Sequence, residues 1–233
     1  MSDFTDNSSY QDPNRIGSTV TGENSTSPEN GGSGADQTEG SEKETLKASI
    51  MEWARDIAIA LILALCISML IKPTIVKESS MEPNFNENDY IFLSRIAYKF
   101  GGEPNRGDVI VFRTSSENLL DAKGKHKLLI KRIIGLPGDR IRIADGEVYV
   151  NGEADDQSYT KDGETWLEDR GDGEVLEITV PEGELFCMGD NREVSIDSRS
   201  EDVGCVDEET IVGKAVFRLF PLSEAGVIHN VYE

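Results

Sequence analysis

Fifteen consecutive residues, Ile57 to Ile71, carry no charged side chain. Polar sequence precedes them and mixed, strand-like sequence follows. A helix drawn back to Ser49 is about 34 Å long, enough to cross a ~30 Å hydrocarbon core. The strictly apolar part covers about 22 Å, so Glu52, Arg55 and Asp56 fall among the headgroups. Trp53 suits that interface, and Lys72 can snorkel at the other end. Two alternatives exist for such a run. A buried core helix needs a larger soluble fold around it than this chain offers. A cleaved signal peptide begins closer to the N-terminus and ends at a small-x-small site, and neither holds here. The reading is a single membrane span over residues 48–72. Lys43, Lys47 and Arg55 against Lys72 and Lys77 give a slight lean toward a cytoplasmic N-terminus.

Residues 1–47 are rich in Ser, Thr, Asn, Gly, Asp and Glu and show no periodicity. They bury too little to offset ordering entropy, so they read as a disordered acidic tail on the cytoplasmic side. The formal charge of -21 argues against a nucleic-acid partner, which requires clustered Lys and Arg. Three cysteines are too few for a disulfide scaffold. Cys66 lies inside the apolar run. Cys187 and Cys205 pair only if that region is outside the cell; connectivity is not legible in sequence, and two free thiols are expected.

Residues 73–233 read as one β-rich domain. Thr74–Val76, Tyr90–Leu93, Val109–Phe112, Leu128–Ile134, Val175–Val180, Leu185–Met188 and Ile211–Leu219 are short β-branched or aromatic runs separated by Gly, Pro, Asn and Asp. Asp145-Gly146 makes a two-residue hairpin turn inside Ile141–Val150, and Pro137-Gly138 and Asn151-Gly152 are further turns. Strands and helices do not alternate, so the fold class is mostly β, a barrel or sandwich behind one N-terminal transmembrane helix. Residues 153–174, acidic and Gly-rich, read as a loop-rich insertion.

No metal-ligand cluster is visible and no cofactor is expected. His126 and His229 lack any surrounding motif for a Ser-His-Asp triad. A lysine is the remaining base. Lys131 heads an apolar strand, and an exposed lysine with pKa near ~10.4 is almost wholly protonated at neutral pH. Buried among apolar strands, its pKa falls by ~3 units or more, which makes it a usable general base for a serine nucleophile. Chemistry alone does not choose Lys131 over Lys127 or Lys125.

Four segments carry more information together. Ser80-Met81-Glu82-Pro83, Arg106-Gly107-Asp108-Val109-Ile110-Val111-Phe112, Lys131 to Asp139, and Gly189-Asp190-Asn191-Arg192-Glu193-Val194-Ser195-Ile196-Asp197-Ser198-Arg199 resemble, in order, the sequence boxes of the type I signal peptidase family. The lysine box matches almost letter for letter. The likeness implies a β-barrel-like catalytic domain outside the cytoplasmic membrane that removes signal peptides from exported preproteins after a small-x-small motif. It implies Ser80 as nucleophile, Lys131 as general base and the Ser80 N–H as an oxyanion donor. It implies that Ser195 hydrogen-bonds Lys131, that Asp197 and Arg199 pair beside the dyad, and that Asp190 and Arg192 are structural. Val76, Met81, Phe85 and Ile130 are candidates for the substrate pockets. The partners implied are secretory preproteins and the lipid bilayer, with the enzyme a monomer in the membrane. One position departs from some members: Glu78 stands where they carry a hydroxyl, and a carboxylate cannot donate to an oxyanion. With the single span, this points to the Gram-positive branch. The self-cleaving repressors share the dyad but carry a DNA-binding domain where this chain has a tail and span. A non-catalytic binding domain would not need both Ser80 and Lys131.

The tether gives an independent check. From Lys72 to Ser80 the chain extends at most about 30 Å, which keeps Ser80 near the bilayer surface. Signal peptides are cut just beyond a membrane-embedded stretch. Nucleophile and scissile bond thus meet at similar depth, at lower entropic cost.

Overall fold

The computed structural model describes residues 38–167 and 175–232. Two compact units divide the chain, Met1–Ala54 and Arg55–Glu233. Among the described residues the first consists of helix. That helix, α1, runs from Thr38 to Leu70, so it begins inside the tail expected to be disordered and stops short of Lys72. Glu42, Lys43, Glu44, Leu46, Lys47 and Ala48 are strong helix formers. Extending an existing helix avoids the cost of nucleation. The rest of the expected tail, residues 1–37, lies outside the described residues. At the other end Pro73 cannot continue a helix and biases Lys72 toward extended backbone, so the chain changes to a strand. Ser49–Leu70 is long and apolar enough to cross a membrane, with mean hydropathy 2.0 and no part of it buried within the protein.

Beyond the end of α1, the second unit is built of antiparallel strands, as the pattern of short runs requires. β1 (Ile71–Ile75), β2 (Tyr90–Ser94), β3 (Val109–Arg113), β4 (Leu128–Gly135), β5 (Arg140–Ala144), β6 (Glu147–Val150), β7 (Glu153–Ala154), β8 (Leu176–Thr179), β9 (Glu184–Met188), β10 (Val206–Asp207), β11 (Ile211–Phe220) and β12 (Gly226–Val227) follow in order. The larger sheet runs β1-β2-β11-β3-β4-β9-β10, with β12 beside β11. The smaller runs β7-β6-β5-β8. Asp145-Gly146 joins β5 to β6 with φ of 55° and 82°, and Asn151-Gly152 joins β6 to β7 with φ of 55° and 88°. Both have the two positive φ values of the tight hairpin turn that Asn-Gly and Asp-Gly favour.

Three apolar clusters fill the unit. Val76, Met81, Phe85, Ile91, Leu93, Val109, Val111 and Ala215 form the first. Leu129, Ile133, Leu185 and Cys187 belong to the second. Ile134, Ile141, Val148, Phe186 and Met188 belong to the third, with Cys205 packed against it. Cys187 and Cys205 therefore serve different clusters, and all three cysteines are free thiols. Burial pushes the Cys187 thiol up, and that of Cys205 up to about 11, so both stay protonated and inert.

The segment expected as a loop-rich insertion is more ordered than its composition suggests. It contains β7 and a 3-10 turn over Gln157–Tyr159, and Gln157, Thr160 and Thr165 are buried. Its residues 168–174 lie outside the described part.

Candidate active site

Ser80 lies in a single 3-10 turn, Ser79–Met81, just past β1. Met81 anchors that turn in the first apolar cluster. The Glu82 N–H donates to Ser79 O at 3.1 Å and the Phe85 N–H to Met81 O at 2.9 Å, which closes the turn around the serine. Lys131 is the fourth residue of β4, opposite Ile110 of β3. Alternation along a strand places it on the same face as Leu129 and Ile133, both in the second apolar cluster. Its Nζ donates to Ser80 Oγ at 2.7 Å. Ser80 is 4% exposed and Lys131 1%. Of the three lysines that chemistry left open, Lys125 is exposed and Lys127 half-buried, with its Nζ 4.0 Å from Glu78. Burial separates them: it pushes the Lys131 ammonium below its ordinary lysine value. Asp197 and Glu78 pull it part of the way back. A lysine so placed loses its proton more readily than an exposed one and lies within proton-transfer reach of a hydroxyl.

The loop from Gly189 to Arg199 wraps the pair. Arg199 grips Asp197 with two bonds, Nε to Oδ1 at 2.8 Å and Nη2 to Oδ2 at 2.9 Å. Asp197 also accepts from the Gly189 N–H at 3.0 Å. Burial alone would raise the Asp197 pKa. The Arg199 charge and bonds, the Gly189 N–H and Lys131 outweigh it and hold the carboxyl below its usual range. Gly189 allows the close approach: a Cβ there would lie 2.4 Å from Ser80 O and 2.3 Å from Ser195 Oγ. Ser195 is buried, yet its Oγ has no hydrogen-bond partner. The expected Ser195–Lys131 hydrogen bond is therefore absent; the Ser195 side chain packs over Gly189 and Lys131 turns to Ser80.

Asp190 does not touch the dyad. It takes Nε and Nη2 of Arg132 at 2.8 and 2.6 Å, with both side chains at most 2% exposed. Arg132 Nη1 donates to Gly107 O at 2.8 Å. Burial works against the Arg132 charge, and Asp190 restores it. Removing one member leaves the other charged and buried. Asp190→Ala should therefore cost about 3–5 kcal/mol of stability. Urea unfolding reads the loss, and an unchanged midpoint would show that Arg132 finds another partner.

Sequence reasoning missed the cluster around Arg192. This guanidinium donates to Gly189 O at 2.9 Å, Gln157 Oε1 at 3.2 Å, Tyr159 OH at 3.0 Å and Thr165 Oγ1. Arg132 and Arg192 both lie over the Tyr159 ring, at 5.1 and 5.7 Å from its centroid. Gln157, Tyr159 and Thr165 come from the acidic segment that read as insertion. The signal available was that these polar residues sit amid charge, and it is weak.

The pocket candidates separate. Val76, Met81 and Phe85 are buried in the first cluster, while Ile130 is half-buried against it. The first three all pack in the cluster that seats the serine turn. Their neighbours in the cluster include Ile91 and Leu93 of β2, Val109 and Val111 of β3 and Ala215 of β11.

A model of the family described as "Signal peptidase, peptidase S26" matches residues 50–220. The chain belongs to the type I signal peptidase family. A signal peptidase I of Bacillus licheniformis is 35% identical over 188 residues, covering 78% of this chain and 96% of that one. A signal peptidase IB of Staphylococcus aureus (strain COL) is 31% identical over 191 residues, covering 77% and 94%. A crystal structure of a signal peptidase I from Enterococcus faecalis V583 shares 29% identity and a TM-score of 0.37. It covers 48% of this chain and 96% of its own. The matched region holds Ser80, Lys131 and the whole Gly189–Arg199 loop. The family match takes in the part of α1 from residue 50 onward and the strands β1 to β11.

Proposed function

We propose that this membrane-anchored peptidase cleaves signal peptides from preproteins after a small-x-small motif, with Ser80 as nucleophile and neutral Lys131 as general base. The observation that carries the reading is the 2.7 Å contact between Lys131 Nζ and Ser80 Oγ, both buried. Ser80 Oγ attacks the scissile carbonyl carbon while Lys131 takes its proton. The oxyanion forms against the Ser80 N–H. Collapse breaks the C–N bond, and the Lys131 ammonium gives its proton to the departing amine of the mature protein. The signal peptide remains as an ester on Ser80. Lys131 then deprotonates a water that attacks the ester; the C–Oγ bond breaks as the Lys131 ammonium returns the proton to Ser80 Oγ, and the signal peptide leaves as a carboxylic acid that ionises in solvent. Asp197 and Arg199 hold the loop beside the dyad, and Asp190, with Arg192, holds the frame behind it.

Ser49–Leu70 serves as the anchor, with residues 1–47 cytoplasmic and residues 73–233 outside. The enzyme needs no second copy to act, since one chain supplies both members of the dyad. Cleavage of a preprotein with a small-x-small site by the purified full chain in detergent or lipid tests the function. Intact preprotein after prolonged incubation would leave a non-catalytic binding domain as the better reading.

Glu78 provides a second test. Its charge stabilises the protonated form of Lys131. Glu78→Gln should therefore lower the lysine pKa, raise the neutral fraction at a given pH, and move the acid limb of kcat/KM to lower pH. A limb that stays in place or moves up would remove Glu78 from the electrostatics of the base.

A further inference from the structure

Ser80 is flanked by two peptide planes, and both are held by one residue. The Asn191 side-chain amide Nδ2 donates to Ser79 O at 3.1 Å, and the Asn191 backbone N–H donates to Ser80 O at 3.0 Å. Ser79 O also accepts from the Glu82 N–H at 3.1 Å. The Ser79–Ser80 bond is not among the cis peptide bonds, so its carbonyl and the Ser80 N–H lie on opposite edges of one rigid plane. Fixing the carbonyl edge fixes the direction of the N–H edge. A carbonyl that accepts two hydrogen bonds also polarises its peptide and strengthens the N–H as a donor.

From this geometry we infer that Asn191 is a positioning residue: it aims the Ser80 N–H at the developing oxyanion by gripping the Ser79 carbonyl behind it. The inference rests on Ser80 as nucleophile and goes beyond it. It bears on the position where Glu78 supplies no second donor, so the single N–H carries more of the stabilisation.

Two features favour this role over plain packing. Asn191 is 2% exposed and its Oδ1 has no hydrogen-bond partner. A buried acceptor left unpaired lowers stability, so an apolar side chain would serve packing better. The Nδ2 bond is what the asparagine adds. Asn191 is itself held in place. On one side Asp190 is locked to Arg132, and Asp190 O accepts from the Lys161 N–H at 3.0 Å. On the other, Arg192 Nε donates to Gly189 O at 2.9 Å.

Asn191→Ala removes the side-chain grip and keeps the backbone one. Misaiming a group that acts only in the transition state should lower kcat about 10- to 100-fold while KM moves less than about threefold. Rates are normalised to folded enzyme by active-site titration. A small-x-small peptide aldehyde, which forms a tetrahedral adduct on Ser80, should lose affinity in step with kcat/KM. An uncleavable peptide of the same sequence should bind as before, and the acid limb of the pH profile should not move. Should Asn191→Ala fail to accumulate, Asn191→Asp keeps the size and removes the donor. It is read above the acid limb, where Lys131 is already neutral, and the same losses are expected. Wild-type kcat per active site in either variant overturns the inference, as does a rate loss with unchanged aldehyde affinity or a displaced limb. Residual cleavage by Ser80→Ala would instead overturn the nucleophile assignment beneath it, so the two failures are distinguishable.

Discussion

Ser80→Ala should abolish preprotein cleavage, with kcat falling at least about 10⁴-fold. The change removes the attacking oxygen and the acceptor of the Lys131 hydrogen bond at 2.7 Å. It leaves the turn intact, because Met81 and Phe85 are held in the apolar cluster and the Glu82 and Phe85 N–H groups still close the turn. Thermal unfolding close to wild type, with no product from a purified preprotein, is the expected pair of results. Product from the purified alanine variant would mean that another group attacks.

Lys131→Ala should give a loss of the same order. Nucleophile and base act as one unit, so the double variant Ser80→Ala, Lys131→Ala should be little worse than either single one. Lys131→Arg should not restore activity, since a guanidinium stays protonated even where burial disfavours it. Both need a folding control, because Lys131 is packed between Leu129 and Ile133 along β4. An arginine variant that cleaves at near wild-type rate would show that position 131 supplies charge or shape and takes no proton.

The long apolar helix and the hairpins were legible in the sequence because each depends on local chemistry. An apolar run of membrane length, Pro73 after it, and the Asp145-Gly146 and Asn151-Gly152 pairs act on neighbours within a few residues. The choice of Lys131 among three lysines was not local. Its burial depends on β3 and on the loop from Gly189, and only the family likeness pointed to it beforehand. The same limit hid the environment of the loop. Arg132 meets Asp190 across 58 positions of sequence, and Arg192 meets Gln157 across 35. The carboxylate at Glu78 was readable in the sequence, whereas the Asn191 hydrogen bond to Ser79 O spans 112 positions and needed coordinates. Ser195 shows the opposite error: the box that contains it implied a bond to Lys131 that the packing over Gly189 does not make.

The pH dependence of kcat/KM tests the neutral-lysine base most directly. Proton loss activates Lys131, so activity should rise with pH. Burial lowers the Lys131 pKa, so the limb should lie below the ordinary lysine value of about 10.4. Measured on wild-type enzyme with one preprotein from about pH 6 to 10, a single rising limb that levels off within this range is the expected result. A flat profile across the same range would contradict Lys131 as the base.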